Sequence, residues 1–406
     1  MATAYLTSND LIASVKRRIS FPVSQNTFSE EDILAFANEE MSISQVPSII
    51  EYHEEYFVFN IEVPLVPNKS KYSIPERAIG MKLRNLFWKD GAGNFFEMTR
   101  VSQDDKAFFQ RNIGANTAIH KFYMESNDIV LTPSVQSSAT GNLNFDIFLR
   151  PNQLVKNERA AIISNFSQTI TLNNASIIVG DTIVIGSATF TAVSGVPSSN
   201  QFQIGATSID TATNLVSSIN TNGIGTASNN ASATVTIKYK DILFSFTTSN
   251  SLGFSIPLTQ GVEFTSIPTN IVNSSYIDFL QTKPGHRTRS IDVLIPSNGI
   301  SGNVITFSSG TVPTDLIVGD YIALQNESII PQIPPDLHTA LAERTAARIL
   351  AAIGDQAGLA AANMKIQDIE NKQGTLLDQR VEGAPQKVTA RHSLLRYSGM
   401  RSRRRL

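Results

Sequence analysis

The chain has 406 residues, of which 41% are hydrophobic and only 17% charged, with a formal net charge of −2 and no cysteine. That length predicts about two or three domains at roughly 100–200 residues each, with enough apolar material to bury real cores. The missing cysteines exclude disulfides, Cys-ligated metals, iron–sulfur clusters and thiol nucleophiles. No charged region followed by an apolar stretch opens the sequence, and nowhere do about 18 apolar residues run together. The reading is of a soluble chain, made and assembled in a cytosol, with no membrane partner.

Thr7 and Asp10 form a capping-box-like start, and Leu11, Ile12, Val15 and Ile19 follow at helical spacing. Ser29 with Asp32, acids in the first turn, then Ile33, Leu34, Phe36, Ala37 and Met41 predict a second helix that Pro47 should kink or break. From Tyr56 the period changes to two. Phe57, Phe59, Ile61 and Val63 alternate, Tyr72 and Ile74 begin another strand, and Leu83 to Trp88 pairs as a hairpin with Phe95 to Met98 across Asp90-Gly91-Ala92-Gly93-Asn94. Phe122 to Met124, Ile129 to Leu131 and Phe145 to Leu149 complete a small antiparallel sheet.

Residues 162–258 look like different material, rich in Ser, Thr, Asn and Ala, and read as an inserted β-rich domain. Its predicted strands are 169–172, 182–185, 189–193, 233–238 and 242–246, with one helix from Ser208 or Asp210 closed at Asn220 to Gly223. Strand patterning resumes at Ile271 to Leu280 and Ser290 to Ile295, then Val304 to Phe307 and Asp320 to Leu324. The word Val179-Gly180-Asp181-Thr182-Ile183 recurs as Val318-Gly319-Asp320-Tyr321-Ile322, too short to establish a duplication. After Pro335, Leu337, Leu341, Ala342, Ala346, Ile349, Leu350 and Ile353 make one apolar stripe ended at Gly354. A second helix carries Leu359, Ile366, Ile369 and Leu376, giving a helical hairpin.

Chemistry is sparse. The histidines His53, His120, His286, His338 and His392 show no ligand spacing, so neither metal nor cofactor is expected. The acid pairs Glu30-Glu31, Glu39-Glu40 and Glu54-Glu55 read as solvated helix faces. The glycine cluster at 91–93 lacks what a phosphate loop requires and reads as a turn. Asp181, Asp210 and Asp241 have turn, cap and strand-end readings, leaving no carboxylate pair for glycoside chemistry. Trp88 with Phe95 and Phe96 reads as packing within the sheet. After Glu382 no acid remains, while Arg391, Arg396, Arg401, Arg403, Arg404 and Arg405 accumulate, interleaved with Leu394, Leu395, Tyr397 and Met400. This basic tail offers both charge and apolar anchors to a groove on a protein partner, and the charge alone would also suit phosphates.

The run from Ser29 to Met41, the phrase Lys71-Tyr-Ser-Ile-Pro-Glu-Arg-Ala-Ile-Gly80, Val318 to Leu324, Pro331 to His338 and Arg391-His-Ser-Leu-Leu-Arg396 resemble the corresponding stretches of head-to-tail connector (adaptor) proteins of tailed bacteriophages. The middle, from Gly180 to Val193 with Asn200 to Gly205, is similar to a small β module of phage tail and virion proteins. The resemblance implies an α+β fold: a helical-bundle core from the N- and C-terminal helices (1–161 with 334–384) carrying an antiparallel β domain continued at 259–333. It also implies no enzyme but a virion subunit, a twelvefold ring beneath the portal through which DNA passes unread. Implied partners are copies of itself, the portal protein, the next neck or tail ring, and fibre or accessory proteins at the insert. The tail residues Arg391, Leu394, Leu395, Arg396, Tyr397, Arg401, Arg403, Arg404 and Arg405 would dock on the portal or face DNA. The alternative within the same class is another tail, baseplate or fibre-attachment protein.

Overall fold

The computed structural model of the chain describes residues 6–19, 28–104, 121–132, 140–242, 245–282, 287–308 and 310–377. Helix α1 (Ser8–Ile19) starts where Thr7 Oγ1 donates to Asp10 Oδ2 at 2.7 Å. Helix α2 (Glu30–Glu40) starts at a complete capping box, Ser29 Oγ accepting from Asp32 N at 3.1 Å and Asp32 Oδ2 from Ser29 N at 2.8 Å. Ahead of Pro47 the α-helix is interrupted, as the proline predicts. A π-helical turn, Met41–Gln45, separates α2 from α3 (Val46–Tyr52), which begins with Pro47 in its first turn, where proline is tolerated.

The predicted single sheet of the N-terminal half is two sheets. One runs in the order Val58–Pro64, Asn142–Leu149, Ala78–Lys89, Phe95–Glu97, all antiparallel, and the other pairs Lys71–Ser73, Asp128–Thr132 and Lys121–Glu125. Phe145, Ile147 and Leu143 from the first face Tyr72, Ile129 and Leu131 from the second in one buried cluster. The expected hairpin is present, with Trp88 opposite Phe96 and their rings stacked 5.3 Å apart.

The strand Ala161–Leu172 organises the rest. Its first half pairs with Thr259–Phe264 and Tyr321–Leu324, its second half with Thr234–Tyr239 and Phe254–Ser255. Ile163 and Phe166 therefore pack with Phe279 and Phe307, while Ile170 and Leu172 pack with Phe190, Phe202 and Leu215. The predicted boundary at 161/162 falls on this strand, so segment 162–258 shares backbone hydrogen bonds with its surroundings. Within the segment, α4 (Ser208–Asn222) opens on a Thr207–Asp210 capping box and closes at Gly223, whose φ of +78° suits glycine.

The recurring Gly-Asp word makes the same turn twice. Asp181 Oδ2 accepts from Ile178 N at 2.8 Å and Asp320 Oδ2 from Ile317 N at 2.9 Å, each after a glycine at φ +96° or +100°.

Helices α5 (His338–Ile353) and α6 (Gln356–Leu377) form the predicted hairpin. Leu341, Ala342, Ala346 and Ile349 of α5 meet Leu11 and Val15 of α1 and Ile33, Leu34 and Ala37 of α2 in one cluster. The fold class nevertheless differs from the expectation. Strands hold 36% of the described residues against 28% in helices, and antiparallel sheets, not a bundle of N- and C-terminal helices, are the framework. The helices form a layer against a mostly β molecule. Ala161–Leu172 and Thr259–Phe264 carry Ser, Asn, Gln and Gly among their apolar residues, which hid most of one strand and all of the other from a period-two reading.

Candidate functional site

Every residue of the predicted docking tail, Arg391, Leu394, Leu395, Arg396, Tyr397, Arg401, Arg403, Arg404 and Arg405, lies outside the described residues. Two other features stand out: an open helical face and a buried polar junction.

The helical face is organised by ion pairs that the sequence reading took for solvated charge. Glu40 is buried, at 6% exposure, and takes Arg348 and, at 3.5 Å, Arg344; Arg348 also reaches Glu39 at 2.7 Å. Arg344 and Arg348 lie four apart on α5, one turn of helix, so both reach the end of α2. That spacing, matched to Glu39-Glu40, was the legible signal. Arg18 of α1 meets Glu343 at 2.7 Å, and Arg344 also pairs with Glu370 of α6. Lys16 and Lys156 converge on Glu30, and their hydrogen bonds hold its carboxyl below the usual range. The hydrogen bond that Arg348 donates to Glu40 holds its guanidinium above the usual range. The charges lock α1, α2, α5 and α6 together and leave the far side of α6 apolar. Its Leu359, Ala362 and Ile366 side packs on its neighbours, whereas Ala357, Ala360, Ala361 and Met364 are exposed, Met364 by 75%.

His338 belongs to the same layer. It is buried, accepts from Leu6 N at Nδ1 over 3.1 Å, and points Nε2 at Pro331 O and Ile333 O, each 3.2 Å away. The proton therefore sits on Nε2, and the ring ties the chain before α1 to the turn before α5.

The buried junction joins the two β regions. Arg77 donates to Asp278 Oδ1 at 2.9 Å and Asp292 Oδ1 at 3.2 Å, and through Nη2 to Asn152 Oδ1. Asp278 also accepts from Asn152 Nδ2 at 2.7 Å and from the backbone of Asp292 and Asn326. Nothing in the spacing of residues 77, 152, 278 and 292 announces this constellation.

Asp181 and Asp210 are occupied as turn and cap, and Asp241 forms an isolated backbone bridge to Ile317. Among the described residues no three His, Asp or Glu side chains gather to hold a metal ion. No described helix is long and apolar enough to cross a membrane. Compared with known proteins, the chain matches no family model and no curated protein.

Proposed function

We propose that this chain is a structural subunit of a tailed-bacteriophage virion, a head-to-tail connector that assembles with copies of itself into a ring beneath the portal and surrounds the DNA passage. The observation that carries the reading is the α6 face. One side of α6 is consumed by its own layer, while Ala357, Ala360, Ala361 and Met364 present small apolar side chains beside the exposed Ile353 at the end of α5. Small residues allow close approach of a second helix, and a neighbouring copy supplies one of matching shape. A single contact repeated head to tail closes into a ring when the rotation per subunit is right. Closure makes many weak contacts act together, and the basic tail of each subunit then binds the portal multivalently.

Electron microscopy and sedimentation of the purified chain, alone and with portal particles, test this. Rings or ring-bearing portals are expected, and a persistent monomer in the presence of portal overturns the reading. A chain ending at residue 384 should fold and fail to co-sediment with portal, and undiminished co-sedimentation refutes the role given to the tail.

A further inference from the structure

Beside the strand Val58–Pro64, the end of Asn142–Leu149 and the start of Thr288–Leu294 lies a cavity of about 70 Å³. Where one water needs roughly 10–15 Å³, that space takes several waters or one small charged group. Its wall is partly apolar: Phe57 and Leu149 are buried and Tyr56 half-buried. The polar groups facing it come from Arg150, Arg287, Thr288 and Gln332.

Neither arginine holds a carboxylate among the described residues. Among the described residues every other arginine except Arg17 and Arg100 is paired with an Asp or Glu. The exposed Arg150 and Arg287 are thus left, among the described residues, without counter-charges at one small cavity. Arg287 lies over the Tyr56 ring, 5.9 Å from its centroid, an aromatic support that positions the cation without neutralising it. Burial pushes the Tyr56 hydroxyl up to about 12, against the opposing pull of Arg287, so it remains a neutral group at pH 7. Gln332 is held at both ends, Oε1 accepting from Asn152 N at 2.6 Å and Nε2 donating to Thr288 Oγ1 at 2.7 Å. The Thr288 hydroxyl, accepting there, keeps its own hydrogen to donate.

We infer that this cavity binds a single carboxylate flanked by an apolar side chain, as presented by an acidic peptide segment of a partner protein. A guanidinium is a planar fork matched to a carboxylate, and the bond is charge-assisted on both sides. The Tyr56 and Phe57 wall takes the apolar flank. Duplex DNA would need a row of cations along its phosphates. The chemistry of the cavity is independent of ring formation.

The test titrates the full-length protein with the capped tripeptide acetyl-Phe-Glu-Leu-amide and its Gln counterpart, following the arginine Nε–Hε resonances by NMR. The Glu peptide should shift the Arg150 and Arg287 resonances and bind about 10-fold or more tighter than the Gln peptide. The double variant Arg150→Gln, Arg287→Gln should keep the thermal midpoint and lose the binding. Absence of shifts up to about 10 mM, a weakness beyond about −3 kcal/mol of affinity, overturns the proposal. Equal binding of the Gln peptide does so too. Displacement of the peptide by equimolar inorganic phosphate or a short DNA duplex makes the cavity a phosphate site and likewise overturns it.

Discussion

Arg77 and Asp278, separated by 201 residues in sequence, meet at 2.9 Å with both side chains buried. Breaking a buried pair from one side leaves an uncompensated charge and costs about 3–5 kcal/mol. Arg77→Ala is therefore expected to lower the unfolding free energy by an amount in that range. Arg77→Lys should recover only part, because one ammonium cannot span Asn152, Asp278 and Asp292 as the fork does. Chemical denaturation of the three proteins decides; a loss below about 1 kcal/mol for the alanine variant contradicts the role given to the junction.

Phe166 stands on the long strand between Tyr239 and Val262, one neighbour in the inserted segment and one outside it, and is fully buried. Phe166→Ala should cost about 3–5 kcal/mol. Because the strand serves both sides, both should lose stability in one transition. Hydrogen exchange that loosens 182–248 and leaves 259–324 protected shows instead that the segment is energetically separate.

The Asp32 carboxyl is held below the usual carboxylate range, first by the Ser29 hydroxyl and then by the Ser29 backbone. A depressed carboxylate stabilises fully above its unfolded value and loses that contribution as pH falls through the folded one. Asp32→Asn should therefore lower stability at pH values above the ordinary carboxylate range and converge with the parent as pH falls, flattening the acid limb of the stability profile. Ser29→Ala removes the cap itself and should cost about 1 kcal/mol at neutral pH. Urea titrations across pH 2.5–7 check both, and an unchanged acid limb in Asp32→Asn rules the assignment out.

Met364 is exposed by 75% on the outer side of α6. Met364→Asp should alter monomer stability by no more than about 0.5 kcal/mol, as surface changes do. It should shift the sedimentation profile from assemblies toward monomer. A variant that assembles as the parent does removes α6 from the interface.

Several elements were legible because their cause is local. Capping residues within three positions of one another placed the starts of α1 and α2, and glycines at positive φ marked the ends of α4 and α5. The Trp88–Phe96 hairpin followed from alternation around a glycine-rich turn. For the site, the Arg344 and Arg348 spacing was readable in principle, though the acids it serves were taken as solvated.

What the sequence by itself determined is thus the set of elements whose stabilising contacts lie within a few residues: caps, turns and amphipathic stripes. Only the tertiary structure decided that strands outweigh helices, that Ala161–Leu172 belongs to two hydrophobic clusters at once, and that Arg77 meets Asp278. The physical reason is that strand pairing and buried ion pairs draw their energy from partners tens to hundreds of residues away. No local pattern encodes which partner arrives, and Ser, Asn and Gln within a strand become favourable only once a neighbouring strand satisfies their backbone.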